Sequence, residues 1–224
     1  MKCEGDRHSL GVKVFEELKN DILNLNYLSG DTLVENSLCM KYNVSRTPVR
    51  EALKQLEQEG LISVVPNKSA VVVGISDEDI IDIFDIRIRL EGLAAAKAAK
   101  NIDDKEIADL KESLDILSSH IEEGNFENIG SIDTKFHDVI YRASKSSPLR
   151  TILHNFHHYT KMARTRSFKG PNRAMATISE HKAIFDAICN HNSELAMKLS
   201  VEHVEHAKNN YLHMLEVDRE CLKK

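Results

Sequence analysis

The sequence predicts a mainly α chain in two parts, an N-terminal winged helix-turn-helix with a small β hairpin followed by an all-α helical bundle. Three observations predict it. A capped helix over 46–59 follows a tight turn and a shorter helix. Two β-type runs, 61–65 and 70–73, come directly after it. Beyond residue 76 the apolar residues recur at helical spacing in one long segment after another, with no convincing strand. The division falls near Gly74-Ile75-Ser76, between an expected domain at 8–75 and a second at 76–221.

In the first part, Leu10, Val14, Leu18, Ile22 and Leu25 mark one face of an amphipathic helix. Tyr27 to Asp31 reads as a turn, and Leu33-Val34-Glu35 leads into a short helix ending near Tyr42. Asn43 makes the next turn, Ser45 suits a helix N-cap, and Pro48 fits the first turn, where a missing N–H does little harm. Val49, Leu53 and Leu56 then face inward, leaving Arg46, Thr47 and Arg50 outward. Two arginines and a hydroxyl on the first turns of such a helix suit a DNA major groove. Arginine forks onto guanine, and the helix N-terminus at Ser45 holds phosphate. The plainer alternative is a capped helix with solvated arginines. Gly60 stops the helix, and Lys68 stands at the tip of the hairpin, placed to meet phosphate.

Length and composition bound the rest. At 224 residues there is room for a small domain and a larger one, each with a core. No apolar run reaches membrane-spanning length and the start is not a secretory signal, so a cytoplasmic protein is expected. Cys3, Cys39, Cys189 and Cys221 form no CxxC pair, and reduced thiols are expected. A net charge of −5 argues mildly against nucleic acid. The bases Lys41, Arg46, Arg50, Lys54 and Lys68 are nevertheless concentrated where contact is expected, so binding rests on a local patch and weakens steeply with salt.

The second part opens at Ser76-Asp77-Glu78-Asp79, which reads as a capping box. The helix over 80–100 is apolar around much of its circumference, which suits a central helix or a subunit interface. Further helices are expected near 104–123, 128–144, 148–166, 174–190 and 193–221, with a polar loop at 167–173. Asp133 and His137 lie four apart on one helical face, while His181 and His203 lie on the last two helices. One carboxylate and three imidazoles suit a divalent transition metal. Hydrogen-bonded core histidines are the alternative, and His154, His157, His158 and His206 could be nominated as readily. An enzyme is the rival class, since a metal with open positions activates water. No general base accompanies the set, because Glu180 adjoins His181 and points about 100° away around the helix.

Residues 22–73 resemble the DNA-binding domain of the GntR superfamily of bacterial transcription regulators. The match rests on Gly30, Leu33, the run Val44-Ser45-Arg46-Thr47-Pro48-Val49-Arg50-Glu51-Ala52-Leu53, and Leu56-Glu57-Gln58-Glu59-Gly60-Leu61-Ile62. Ser29 stands where the family usually has proline, and Ser69 where its wing tip usually has glycine. The resemblance implies that Arg46, Thr47 and Arg50 contact operator DNA. Residues 78–215 resemble the FCD effector-binding domain of the FadR subgroup. They do so through Arg87-Ile88-Arg89-Leu90-Glu91, Ala94-Ala95-Ala96, Asp133-Thr134-Lys135-Phe136-His137, Glu180-His181 and His203. Ser147 stands where asparagine often follows.

That second resemblance implies a divalent metal (zinc, nickel or manganese) on Asp133, His137, His181 and His203. It also implies a homodimer, and Arg87 as the arginine that engages a small organic-acid or sugar-acid effector. The alternative for Arg87 is a surface salt bridge with Glu91 one turn on. The implied whole is a repressor whose operator affinity an effector controls. The alternatives are the same regulator with a structural metal or none and, more remotely, a metal-dependent hydrolase.

Overall fold

A computed structural model describes residues 4–24, 26–64, 70–126, 129–168 and 171–221. The chain divides into two compact units, Met1–Ser76 and Asp77–Lys224.

The first unit comprises α1 (Glu4–Leu23), β1 (Thr32–Leu33), α2 (Glu35–Tyr42), α3 (Arg46–Gln58), β2 (Ile62–Val64) and β3 (Ala70–Val72). Val14, Leu18 and Ile22 are buried as their spacing predicts, while Leu10 is exposed and Leu25 lies outside the described residues. Asn43 adopts the left-handed conformation at φ 51°, closing α2 so that α3 can start two residues later. Ser45 takes the N-cap position of α3 with an extended backbone, but its side chain makes no capping hydrogen bond. Val49, Leu53 and Leu56 pack inward with Leu18, Leu33 and Leu38.

The sequence reading had a hairpin; the structure has a three-stranded antiparallel sheet in the order β1-β3-β2. Leu33 pairs with Ala70 and is buried, whereas Thr32 is exposed. A two-residue strand is too short to show alternation, which is why it reads as part of a helix lead-in. The expected wing tip, Lys68 included, lies outside the described residues.

The second unit contains α4 (Asp77–Asn101), α5 (Asp104–Glu122), α6 (Ile129–Ala143), α7 (Ser147–Tyr159), α8 (Lys161–Ser167), α9 (Pro171–Cys189) and α10 (Ser193–Cys221). Helix α5 opens with a capping box, Asp103 accepting from the Glu106 N–H while the Glu106 side chain accepts from the Asp103 N–H. Helix α4 packs along α10, and Gly92 permits the approach, since a Cβ there would lie 2.8 Å from Val201 Cγ2 and 3.2 Å from the Met197 carbonyl oxygen. Ala95, Ala98, Ala99, Phe136, Ile140, Ile184 and Ala196 form a core shared by α4, α6, α9 and α10. The single helix expected over 148–166 is two helices, parted at Thr160. Thr160 is fully buried and its hydroxyl serves side chains from elsewhere, a tertiary demand that periodicity does not reveal. Among the described residues, no helix is long and apolar enough to cross a membrane.

Candidate functional site: a histidine–carboxylate centre and an arginine-bearing helix

In the first unit Ser45, Arg46, Thr47 and Arg50 are all exposed at the start of α3. An open groove of about 610 Å³ runs between α2, α3 and the sheet, lined by Glu35, Arg46, Arg50, Lys54, Glu57 and Val64 among others. Arg50 is held on one edge only, its Nε donating to Glu35 Oε1 at 2.9 Å and Oε2 at 3.1 Å. Lys41 is drawn back instead, donating to Asp21 at 2.7 Å and to the Tyr27 hydroxyl at 3.2 Å. The positive charge facing the groove therefore rests on Arg46, Arg50 and Lys54.

In the second unit, α6 carries Asp133 and His137 one turn apart, α9 carries His181, and α10 carries His203. All four are buried, and the structure brings them together. His181 Nε2 lies 3.6 Å from Asp133 Oδ1 and 3.4 Å from His203 Nε2, and His137 Nε2 lies 4.0 Å from the same Asp133 oxygen. Ligand atoms of the three histidines fall within 4.8 Å of one another.

Hydrogen bonding fixes the tautomer of His203. His203 Nδ1 stands 2.7 Å from Glu180 Oε2, an acceptor, so Nδ1 donates and Nε2 is a bare lone pair facing the centre. His137 Nδ1 lies 3.8 Å from Glu91 Oε2 and its Nε2 4.0 Å from Asp133 Oδ1, both beyond hydrogen-bond distance. His181 Nδ1 and both nitrogens of His137 have no hydrogen-bond partner among the described residues. Three imidazoles and a carboxylate thus lie together with at most one hydrogen bond among their facing atoms. This is a donor set that a divalent cation satisfies. Burial drives His181 well below its ordinary pKa, with the charge of His203 adding to the effect, so the imidazole is neutral as a metal ligand must be. Burial alone would raise Asp133, but Arg164 holds it down at about 2.

Several participants escaped the sequence. Arg164 of α8 donates through Nε to Asp133 Oδ2 at 2.8 Å, leaving Oδ1 for the centre. Its other nitrogens reach the His157 carbonyl, Thr160, Thr134 and the Gly130 carbonyl. Burial pulls its guanidinium down to about 10, which still leaves it charged at neutral pH. A Cβ on Gly130 would collide with Thr165 Oγ1, so this glycine lets α8 lie close enough for Arg164 to reach α6. Glu180, dismissed as a base because it points away from His181, has its own task on α9. It is clamped by Arg173 at 2.6 and 2.9 Å and orients His203. No spacing rule connects Arg164 to Asp133 across 31 residues.

Arg87 does pair with Glu91, but in the interior rather than at the surface. Its Nε and NH2 donate to Glu91 Oε1 at 3.0 and 2.8 Å, and its NH1 donates to Thr160 Oγ1 at 3.0 Å. The Tyr141 hydroxyl donates to the same Glu91 oxygen at 2.6 Å. His157, a histidine the sequence could not rank, is fully buried beside His137 with ring centroids 4.3 Å apart. His154 and His206 lie on the exposed surface, paired with Asp138 and Glu180.

Two protein-family models match the chain. One, described as bacterial regulatory proteins of the gntR family, covers residues 10–72, and the FCD domain covers 82–206. Among curated relatives, the uncharacterized HTH-type transcriptional regulator YdhC of Bacillus subtilis is 27% identical over 93% of this chain and 94% of its own. The gluconate operon transcriptional repressor of the same species is 33% identical over 66% of this chain, which spans 60% of that protein. Among solved structures, Escherichia coli McbR/YncC superposes with a TM-score of 0.77 at 23% identity, covering 92% of this chain and 98% of that one, a likeness of fold.

Proposed function

Because the chain belongs to the GntR family of bacterial transcriptional regulators and carries an FCD domain, and so is not an enzyme, we propose that it is an effector-controlled repressor of the FadR subgroup. In this reading Ser45, Arg46, Thr47 and Arg50 meet operator DNA, with Lys68 on an adjacent phosphate. Support comes from the exposure of the four α3 residues and from the groove beside them. Relatives named as repressors include that of the gluconate operon in Bacillus subtilis and RspR of Escherichia coli. A regulator that reads chromosomal DNA works in the cytoplasm.

The effector is a small organic acid or sugar acid. A divalent ion such as zinc, nickel or manganese would be held by Asp133, His137, His181 and His203, and would supply positive charge and open coordination positions. Arg87 is assigned to the far end of the acid, where it would share its guanidinium with Glu91. The single observation that carries this reading is the gathering of the His137, His181 and His203 ligand atoms beside Asp133 in a site closed to solvent. Homodimer formation through the helical domain is part of the proposal, supported by Ile86 and Leu93 on α4 and Leu195 and Met197 on α10, all more than a third exposed. Helix α4 follows β3 after only four residues, and it carries both Arg87 and Glu91. An acid alters operator affinity only to the extent that it binds the two arrangements of the dimer unequally.

Complete burial of the four ligand residues also favours a second reading, in which the metal merely braces the bundle. One experiment separates the two. An operator is selected from random duplex DNA, and its affinity for the metal-loaded protein is measured against a panel of organic and sugar acids. A several-fold loss of affinity with one acid supports effector control. Unchanged affinity with every acid leaves the bracing role.

A further inference from the structure

We propose that Glu35 is a positioning residue for DNA reading, which aims Arg50 at a base edge and withholds it from the phosphates. The inference rests on the reading above that Arg50 meets operator DNA, and adds to it a residue that sets discrimination between sequences.

Glu35 is the first residue of α2, and Arg50 lies in the second turn of α3, 15 residues on. The left-handed Asn43 turns the chain between the two helices, so that the start of α2 comes to lie beside Arg50. There the Arg50 Nε donates to Glu35 Oε1 at 2.9 Å and to Oε2 at 3.1 Å, and both carboxylate oxygens are taken up by one N–H. The guanidinium makes no other hydrogen bond among the described residues. Its two terminal nitrogens therefore stand clear at the outer end, as the fork that matches guanine N7 and O6. Arg46 and Lys54 line the same groove, but among the described residues neither side chain has a hydrogen-bond or ion-pair partner. Of the three cations, only Arg50 is held in one orientation.

Folding stability does not account for the contact. With the Arg50 side chain 63% exposed and that of Glu35 35%, such a pair adds little to stability. Its effect is to fix a long side chain before DNA arrives, which lowers the ordering cost of a directional contact. The charge of Glu35 acts in the same sense. Binding to arbitrary DNA comes almost wholly from cations on phosphates, and a carboxylate in the groove depresses it. A guanine edge carries no net charge and still receives the fork. Glu35 thus weakens binding to arbitrary sequence more than binding to the operator, and the ratio of the two rises.

A plainer role is available at the same position. Val34, the N-cap of α2, makes no side-chain capping bond, and Glu35 is the acid in the first turn, where it complements the helix dipole. That role predicts a change in unfolding and an equal effect on all DNA. Positioning predicts a change in discrimination at one base.

The test uses a duplex selected from random DNA by the wild-type full chain, a scrambled duplex, and copies of the first with each guanine replaced in turn by 7-deazaguanine, which lacks N7. Anisotropy titrations compare the wild type with Glu35→Ala, Arg50→Ala and the double variant. At the guanine read by Arg50, loss of N7 should weaken the wild type about fivefold or more and leave Arg50→Ala indifferent. Glu35→Ala is expected to lower the operator-to-scrambled ratio about tenfold, with scrambled affinity equal or higher, and to shrink the N7 penalty at that same guanine below about twofold. In the Arg50→Ala background it should change the ratio by less than about twofold. A ratio and N7 penalty that survive Glu35→Ala overturn the inference, as does an equal loss on both duplexes. A full loss of the ratio in the Arg50→Ala background overturns it too, since Glu35 would then read a base itself. An Arg50→Ala loss that is equal on both duplexes moves Arg50 to phosphate, and only the positioning role fails. No loss on either duplex removes Arg50 from the interface, and both readings of it fail. Should Glu35→Ala not fold, Glu35→Gln carries the same comparison.

Discussion

His181 Nε2 and His203 Nε2 face each other at 3.4 Å in a site from which solvent is excluded. Glu180 fixes the hydrogen of His203 on the opposite nitrogen, so at most one hydrogen is available between the two rings. Placing it on His181 Nε2 strips the buried His181 Nδ1 of any role, and placing it on Nδ1 leaves two lone pairs opposed. A cation seated between the two Nε2 atoms removes the opposition of lone pairs. The protein is therefore expected to hold one divalent ion per chain and to lose it on His181→Ala. Metal at a hundred times its Kd should stabilise the wild type by about 2.7 kcal/mol. Metal content by mass spectrometry and the unfolding midpoint with and without chelator check this; equal midpoints in both conditions would count against the site.

Glu180 tests the outer layer of the same centre. It touches no other proposed ligand residue by hydrogen bond, so Glu180→Gln keeps size and shape while weakening the bond that orients His203. The expected result is a loss of about 10- to 100-fold in metal affinity, as for other carboxylate–histidine pairs. A purely structural role would lower stability and leave the metal Kd untouched, so the two quantities should be measured together.

What the sequence showed and what it hid follow from the range of the interactions. Helices α3, α5, α6 and α10 were legible because their apolar residues recur every three to four positions, and α3 and α5 begin at residues suited to an N-cap. Strand β1 was not, since its place in the sheet is set by Ala70 and Val71, far along the chain. The Asp133 and His137 pair was legible because four residues make one turn. Arg164 and His157 were not, because their roles depend on α8 approaching α6 at Gly130. The break at Thr160 was hidden for the same reason.

Arg46 and Arg50 carry the proposed DNA contact, and Arg50 is offered with its Nε already engaged by Glu35. Its two terminal nitrogens remain the natural fork for guanine. Replacing either arginine with alanine is expected to weaken specific operator binding by about 1–3 kcal/mol and to leave unfolding unchanged, because both side chains are exposed. Anisotropy titrations against operator and scrambled duplexes provide the check. An equal loss on both duplexes would reassign the side chain to phosphate, and no loss on either would remove it from the interface.

Acid should destabilise the metal-free protein well before its carboxylates titrate. Burial, aided by the Arg164 charge at His157 and the His203 charge at His181, drives both histidines well below the ordinary value of 6.5. They stay neutral in the fold but protonate in the unfolded chain once the pH falls below about 6.5. The unfolded state then binds more protons, so stability is full above that pH and declines below it, by up to about 1.4 kcal/mol per pH unit for each histidine. Glu91 and Asp133, whose pKa values are depressed in the fold, contribute in a lower window: their stabilisation is present above the ordinary carboxylate range and is lost beneath it. Between pH 6.5 and 5 the buried imidazoles therefore dominate. Urea midpoints of the chelated protein should fall steadily across that interval, and less steeply in His157→Phe. A flat profile from pH 7.5 to 5 would mean that these rings accept protons in the folded state, and the tautomers assigned to the centre would have to be abandoned.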